Sequence, residues 1–313
     1  MSRSRSRGFR HLAAVGAVLA IFAAACTPPP ASPTTTPKPP ATTTTVAPPA
    51  TTTTTTPPSG PKPVGAGNTG TWVLKFEDNF NGSSLDLSKW RPNWLGSSDT
   101  AVTPPINDFE ESCYDPAMVS VSGGSLKLRA EQLSSTTAQC VLKEQDDGSR
   151  PRANYRSGVV QSDDHFNFSY GYMEARINLA GTTSRAHNWA AFWSTGQNWP
   201  MTGEIDVMET LEGDPMWTYH WGTRQNPQHH STDDYGLVSP LNGWHTFAAK
   251  WEPGKITYYY DGVDVGTVSG SHVVCDPHFL ILNYGLSTTD WVNTRIDVPS
   301  TMEIDYVRVW QRP

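Results

Sequence analysis

Basic side chains are sparse in this 313-residue chain and cysteines sparser: 23 Lys and Arg stand against 30 Asp and Glu, and there are four Cys. The formal charge is −7, and the first 25 residues hold four arginines and no acid, which leaves −11 for the remainder. Such a body repels phosphate backbones, so nucleic acid and anionic surfaces are excluded as its partners. No cysteine spacing is of the zinc-binding kind. No stretch after residue 70 sustains a helical period, which excludes a helical architecture. Long apolar runs are missing too. The most apolar stretch, Leu12 to Ala25, is too short to span a bilayer as a permanent helix.

That stretch follows a basic start, Ser2-Arg3-Ser4-Arg5-Ser6-Arg7-Gly8-Phe9-Arg10, and reads as an export signal over residues 1–25. It ends Ala23-Ala24-Ala25-Cys26, which resembles a bacterial lipobox and makes Cys26 the lipidation candidate. Ala23 stands where a lipobox usually has Leu, and cleavage at an Ala-x-Ala site is the alternative. Residues 26–67 are nearly all Pro, Thr, Ala and Ser, with Thr51 to Thr56 unbroken. They bury nothing and favour polyproline II, so they form a disordered, semi-rigid spacer with a reach on the order of 100 Å. This organisation implies an exported protein, extracellular or held at the cell envelope, whose only route to a membrane is the lipid. A monomer is expected. All twelve tryptophans fall between Trp72 and Trp310, so residues 68–313 form one large domain. Its three cysteines permit three pairings. Cys113 with Cys140 is preferred because the two bracket about one hairpin, and one thiol is left over.

Short apolar runs bounded by Gly, Asn, Asp and Pro recur through the domain. The clearest are Ser125 to Ala130, Gly171 to Ile177, Ala190 to Trp193, Glu204 to Glu209, Thr246 to Trp251, Ile256 to Tyr260, Phe279 to Asn283 and Ile304 to Trp310. Asp261-Gly262 is a tight hairpin signal. The fold class is all-β, a sandwich of two antiparallel sheets.

Gly203-Glu204-Ile205-Asp206-Val207-Met208-Glu209 places three acids in one β-prone run. Glu204 and Asp206 share a strand face, with Ile205 and Val207 on the other. Glu209 has the wrong parity. A bulge near Val207 or Met208 restores it and puts all three acids on one surface. The two glutamates are then separated by roughly 13 Å of backbone. Long side chains leaning together on a concave sheet close this toward the roughly 5 Å carboxyl spacing of a retaining glycosidase. An ordinary strand with an acidic outer face is the plainer reading, but three mutually repelling carboxylates give folding nothing. Trp189, Trp193 and Trp199 precede the motif, and Trp217, His220 and Trp221 follow it. Aromatic faces in a groove stack on sugar rings, so Trp189, Trp193 and Trp199 are candidate platforms. Trp72, Trp90, Trp244, Trp251 and Trp310 are assigned to the core. His220 serves the acid/base carboxylate, a sugar hydroxyl or a structural bond.

With these motifs the chain resembles glycoside hydrolase family 16, the laminarinase, lichenase and agarase group. The resemblance rests on Asn188-Trp189-Ala190-Ala191-Phe192-Trp193, on Trp199 through Glu209, on Gly171-Tyr172-Met173-Glu174-Ala175-Arg176, on Trp244-His245-Thr246-Phe247 and on Ile304 through Trp310. It implies a β-jelly-roll with a concave cleft and a retaining double displacement needing no cofactor. By position Glu204 matches the nucleophile, Asp206 the assisting carboxylate and Glu209 the acid/base. The E-x-D-x-x-E spacing resembles the bulged branch, which makes endo-acting cleavage of a polysaccharide, β-1,3-glucan first, the expected activity. A wall-remodelling transglycosylase and a non-cutting sugar-binding sandwich are the competing readings. The resemblance also implies a structural calcium, for which Glu77, Gly124 and Asp305 are the matching positions. The chain departs from the family over Arg91 to Cys113 and after Asn283, where Tyr284 to Trp291 replaces a Gly-Gly loop. Both segments are expected to edge the cleft, with Asn283 and Trp291 as substrate contacts.

Overall fold

The computed structural model describes residues 61–134, 140–145, 148–223, 228–236, 238–289, 292 and 295–313. Cys26, the leader, most of the spacer and Trp291 lie outside these residues. No helix among the described residues is long and apolar enough to cross a membrane.

Sixteen strands carry the fold: β1 (Val73–Asp78), β2 (Ser112–Tyr114), β3 (Val119–Ser122), β4 (Ser125–Gln132), β5 (Tyr155–Ser157), β6 (Val159–Gln161), β7 (Gly171–Asn178), β8 (Trp189–Thr195), β9 (Glu204–Leu211), β10 (Asp214–Trp221), β11 (His230–Tyr235), β12 (Trp244–Glu252), β13 (Lys255–Tyr260), β14 (Val263–Ser269), β15 (Phe279–Gly285) and β16 (Ser300–Gln311). They form two sheets. The larger runs β14-β13-β12-β7-β16-β4-β5-β2, with β1 added along β16 and β3 along β4. The smaller runs β11-β10-β9-β8-β15-β6. Every run expected to be a strand lies in one, and Asp261 and Gly262, both at positive φ, join β13 to β14 as expected.

Period-two alternation decides which side chains meet between the sheets. Met173, Ala175 and Ile177 of β7, Phe247, Ala249 and Trp251 of β12, and Val307 and Val309 of β16 face Phe192 of β8, Ile205, Val207 and Met208 of β9, and Leu280, Leu282 and Tyr284 of β15. The intervening residues of β15 and β8, Phe279, Ile281, Ala191 and Trp193, form a second cluster with Tyr114 and Val159 on the other face of the smaller sheet. Trp94 and Ile106 pack on that cluster from the segment before β2. Cys113 and Cys140 are joined, closing a separation of 27 residues beside this segment. Cys275 is engaged as well and no described cysteine is free. The leftover thiol expected from the sequence is thus corrected.

A third cluster, Tyr172, Ala248, Tyr259 and Trp310 with Trp72 and Leu74, covers the outer face of the larger sheet. The chain leading into β1 is fastened there. Trp310 Nε1 donates to the Pro61 carbonyl at 2.7 Å, Val64 N to Glu174 Oε2 at 2.8 Å, and Tyr172 Oη to the Val64 carbonyl at 3.2 Å. Residues 61–67, read from composition as spacer, include this packed segment.

The positions matched to calcium do not make a free donor set. Glu77 Oε1 accepts from Arg308 Nε at 2.9 Å, the Glu77 carbonyl from Lys89 Nζ at 2.9 Å, and Asp305 Oδ2 from Arg176 Nη1 at 2.7 Å. Gly124 occupies a left-handed turn between β3 and β4. Three basic side chains already supply the charge a cation would bring, so these residues do not fit the ion.

Candidate active site

β9 is an inner strand of the smaller sheet, and its entry requires glycine. Gly203 sits at φ +74, where a Cβ would come within 2.7 Å of Val274 and 3.0 Å of the Tyr219 hydroxyl. Beyond it the strand bulges as the acid spacing predicts. Against β8, Trp193 pairs with Asp206 and Phe192 with Met208; against β10, Thr218 pairs with Asp206 and Met216 with Glu209. Both neighbours therefore count one residue fewer than β9. Val207 and Met208 turn consecutively into the core. Burying such side chains contributes roughly 1.5–3 kcal/mol each, which holds the bulge in place and leaves Glu209 on the same outer face as Glu204 and Asp206.

Each acid has its own surroundings. Glu204 lies opposite His220 on β10 and Thr195 on β8. His220 Nε2 is 3.7 Å from Glu204 Oε1 and 3.2 Å from Asp206 Oδ2. The second contact is too far off line for a hydrogen bond, and Asp206 Oδ2 is buried with no hydrogen-bond partner. Burial and the Asp206 charge push Glu204 up, while His220 and Trp199 oppose this. Burial likewise raises Asp206, which is 4 % exposed. These neighbours titrate as a unit that retains a proton above the usual carboxylate range. Glu209 accepts at Oε1 from Trp189 Nε1 at 2.7 Å. Burial, with Asp206 adding to it, pushes Glu209 up to about 7, and the Trp189 donor works in the other direction.

A cleft of about 560 Å³ opens over Glu204 and Asp206, with Trp189, the hydrogen-bond partner of Glu209, in its lining. Trp189, Trp193, Trp199, His220 and Asn283, all expected from the sequence, line it. Their uses differ from simple stacking. Trp189 and Trp193 are nearly buried and spend their N–H groups on Glu209 and on Asn283 Oδ1. Trp199 is the open platform, 50 % exposed at the rim with its ring 5.0 Å from that of His229. His229 Nε2 lies 2.7 Å from His220 Nδ1, extending the imidazole pair outward from the acids. Trp217 faces the core instead, stacked 4.6 Å from Tyr258.

Sequence reasoning missed several cleft residues in the segment between Arg91 and Cys113. Trp94, Phe109 and Glu110 form one wall. Glu110 is buried beneath it, where its carboxylate accepts from the Tyr114 hydroxyl, from Ile106 N at 3.2 Å and from Asn107 Nδ2 at 3.2 Å. Burial raises it to about 7 against those donors. The signal available was that this segment departs from the family pattern.

A two-sheet jelly-roll with clustered carboxylates and tryptophans on the open face of one sheet is the architecture of β-sandwich glycoside hydrolases. Residues 112–308 match the model of glycosyl hydrolases family 16, and the chain belongs to that family. It is 28% identical over 267 residues to a glucan endo-1,3-beta-glucosidase A1 of Niallia circulans, covering 76% of this chain and 38% of that protein. It is 28% identical over 263 residues to a keratan-sulfate endo-1,4-beta-galactosidase of Sphingobacterium multivorum, covering 78% of this chain and 56% of the relative. The chain thus spans between about a third and just over half of these relatives' lengths. The fold is that of an endo-beta-1,3-glucanase from Pyrococcus furiosus, with TM-score 0.61, 24% identity and coverage of 77% of this chain and 94% of that one.

Proposed function

We propose that this protein is a retaining endo-glycosidase that cleaves internal β-1,3-linkages of a neutral glucan. The observation that carries the reading is the bulge at Val207 and Met208, which sets three acids on one face of the smaller sheet in three different environments. Glu204 is the nucleophile. Its carboxylate attacks the anomeric carbon while Glu209 gives its proton to the departing glycosidic oxygen, leaving a glycosyl ester on Glu204 and an ionised Glu209. Glu209 then takes a proton from water, the resulting hydroxide-like oxygen attacks the same carbon, and the ester bond to Glu204 breaks. A carboxyl raised to about 7 is suited to both halves of this exchange. Asp206 and Glu204 are both raised by burial and together hold a proton above the usual carboxylate range; Glu204 attacks when that proton lies on Asp206.

The glucan choice draws on the names of the relatives and on charge. A body of charge −11 with an acid-lined cleft disfavours a sulfated chain and accepts an uncharged one. Calcium has no place in the reading. The test is hydrolysis of laminarin: the wild type releases reducing ends, the first product keeps the β configuration by NMR, and Glu204→Gln lowers the rate by roughly 10³-fold or more. Inversion, or an active Glu204→Gln, overturns it. Products longer than the starting oligomers would instead identify a transglycosylase.

For the rest of the chain, export by residues 1–25, attachment through Cys26 and a spacer up to about residue 60 complete the proposal. Intact mass of the exported protein decides: added acyl mass supports the anchor, and its absence rejects it.

A further inference from the structure

We infer that Glu110 is a positioning residue that fixes the seat of Trp193 through Tyr114 and Asn283, and so sets how firmly the glycan is held beside the reacting acids. The proposal rests on the glucanase reading for its kinetic arm only.

The four side chains form a one-way line of donors. Trp193 Nε1 donates to Asn283 Oδ1 at 2.7 Å, Asn283 Nδ2 donates to the Tyr114 hydroxyl at 3.0 Å, and that hydroxyl donates to Glu110 Oε2. The direction is forced from one end. An indole N–H can only donate, so Asn283 must present its oxygen to Trp193 and its amide hydrogens to Tyr114. Tyr114 must then pass its single hydrogen onward, and the line needs a terminal acceptor. Glu110 is that acceptor. Its other oxygen is spoken for by Ile106 N and Asn107 Nδ2, so both oxygens must accept at once. The ionised carboxylate, the form that prevails above about pH 7, can do this, and a carboxamide of the same shape cannot.

Both ends of the line act on one part of the cleft. Trp193 pairs in register with Asp206, which places this indole on the reacting rung of the sheet. Ile106 and Trp94 pack against the cluster that contains Trp193, with the Trp94 and Trp193 rings 5.8 Å apart. Glu110 thus holds the wall through Ile106 N and the floor through Tyr114, and among the described residues these bonds run to neither Glu204 nor Glu209. Buried polar lines of this kind are cooperative, so breaking one link loosens the whole.

The test is a double-mutant cycle of Glu110→Gln and Tyr114→Phe in the full chain at pH 8, where Glu110 is ionised, with laminarin kinetics and the ¹⁵N-resolved indole N–H resonance of Trp193. Each single variant is expected to raise KM about tenfold with kcat within about threefold, the size expected for one orphaned buried donor. The double variant is expected to be no worse than either single, because the two break the same line. The Trp193 resonance is expected to move in both variants without any substrate. An unmoved resonance, additive effects, or a fall in kcat at constant KM overturns the proposal. A wild type inert on laminarin would fail the glucan reading alone, since the resonance still decides the role of Glu110.

Discussion

The indole N–H of Trp189 reaches Glu209 Oε1 at 2.7 Å, although the residue opposite Glu209 in the β8 register is Ala191. The indole leans along the strand by one same-face step to meet the acid. It places a single donor on a carboxyl that burial has already raised to about 7.

That pairing dictates a pH limb. Glu209 must be protonated to release the leaving group, so kcat/KM on laminarin is expected to fall as pH rises through about 7. Trp189 lowers the pKa of Glu209, so Trp189→Phe should carry this limb to higher pH. A pH profile unchanged in Trp189→Phe would remove Glu209 from the acid role.

The bulge yields a sharper contrast. Inserting one alanine between Val207 and Met208 keeps every acid but carries Glu209 either to the core face of β9 or one same-face step farther from Glu204; activity is expected to drop by roughly 10³-fold, with a lowered thermal midpoint. Val207→Ala keeps the residue count and loses only buried methyl groups, at a cost of about 1–3 kcal/mol, so it should stay active. Equal activity in the two variants would show that the bulge does not orient the acids.

Stability should follow the same groups. Glu209 and Glu110 are both raised from 4.5 to about 7 in the folded protein. The folded state therefore binds more protons than the unfolded one between these values. Their contribution is full below about 4.5 and is lost as pH rises through about 7. His278, lowered to about 4 by burial, works oppositely, and its contribution is lost as pH falls from 6.5 toward 4. Thermal midpoints are expected to decline from pH 5.5 to pH 8 in wild type, and Glu209→Gln should flatten part of that decline. A midpoint that climbs across this range would contradict the buried-acid assignment.

The sequence was most legible where parity ruled. The eight clear runs became strands because each alternates against two sheets, and the spacing of Glu204, Asp206 and Glu209 had one geometric solution on a shared face. The same rule, applied to β10, places Trp217 in the core, away from His220. Trp189 and Trp193 were recognisable as cleft residues, but their donor roles were not, because a sequence does not reveal which acceptor an indole will meet across a strand. Glu110 was the least legible. An acid between Asp108 and Glu111 in a Pro- and Asn-rich segment looks solvated until the fold lays Tyr114 and Ile106 over it.

The fastening of residues 61–64 has a mechanical consequence. Any pull transmitted by the preceding chain enters at Pro61 and is taken first by Trp310, Glu174 and Tyr172, on the outer face of the larger sheet. These residues belong to β16 and β7, two adjacent inner strands that share the load across their ladder. β9 belongs to the other sheet, so none of these three bonds is made to the strand that carries the acids.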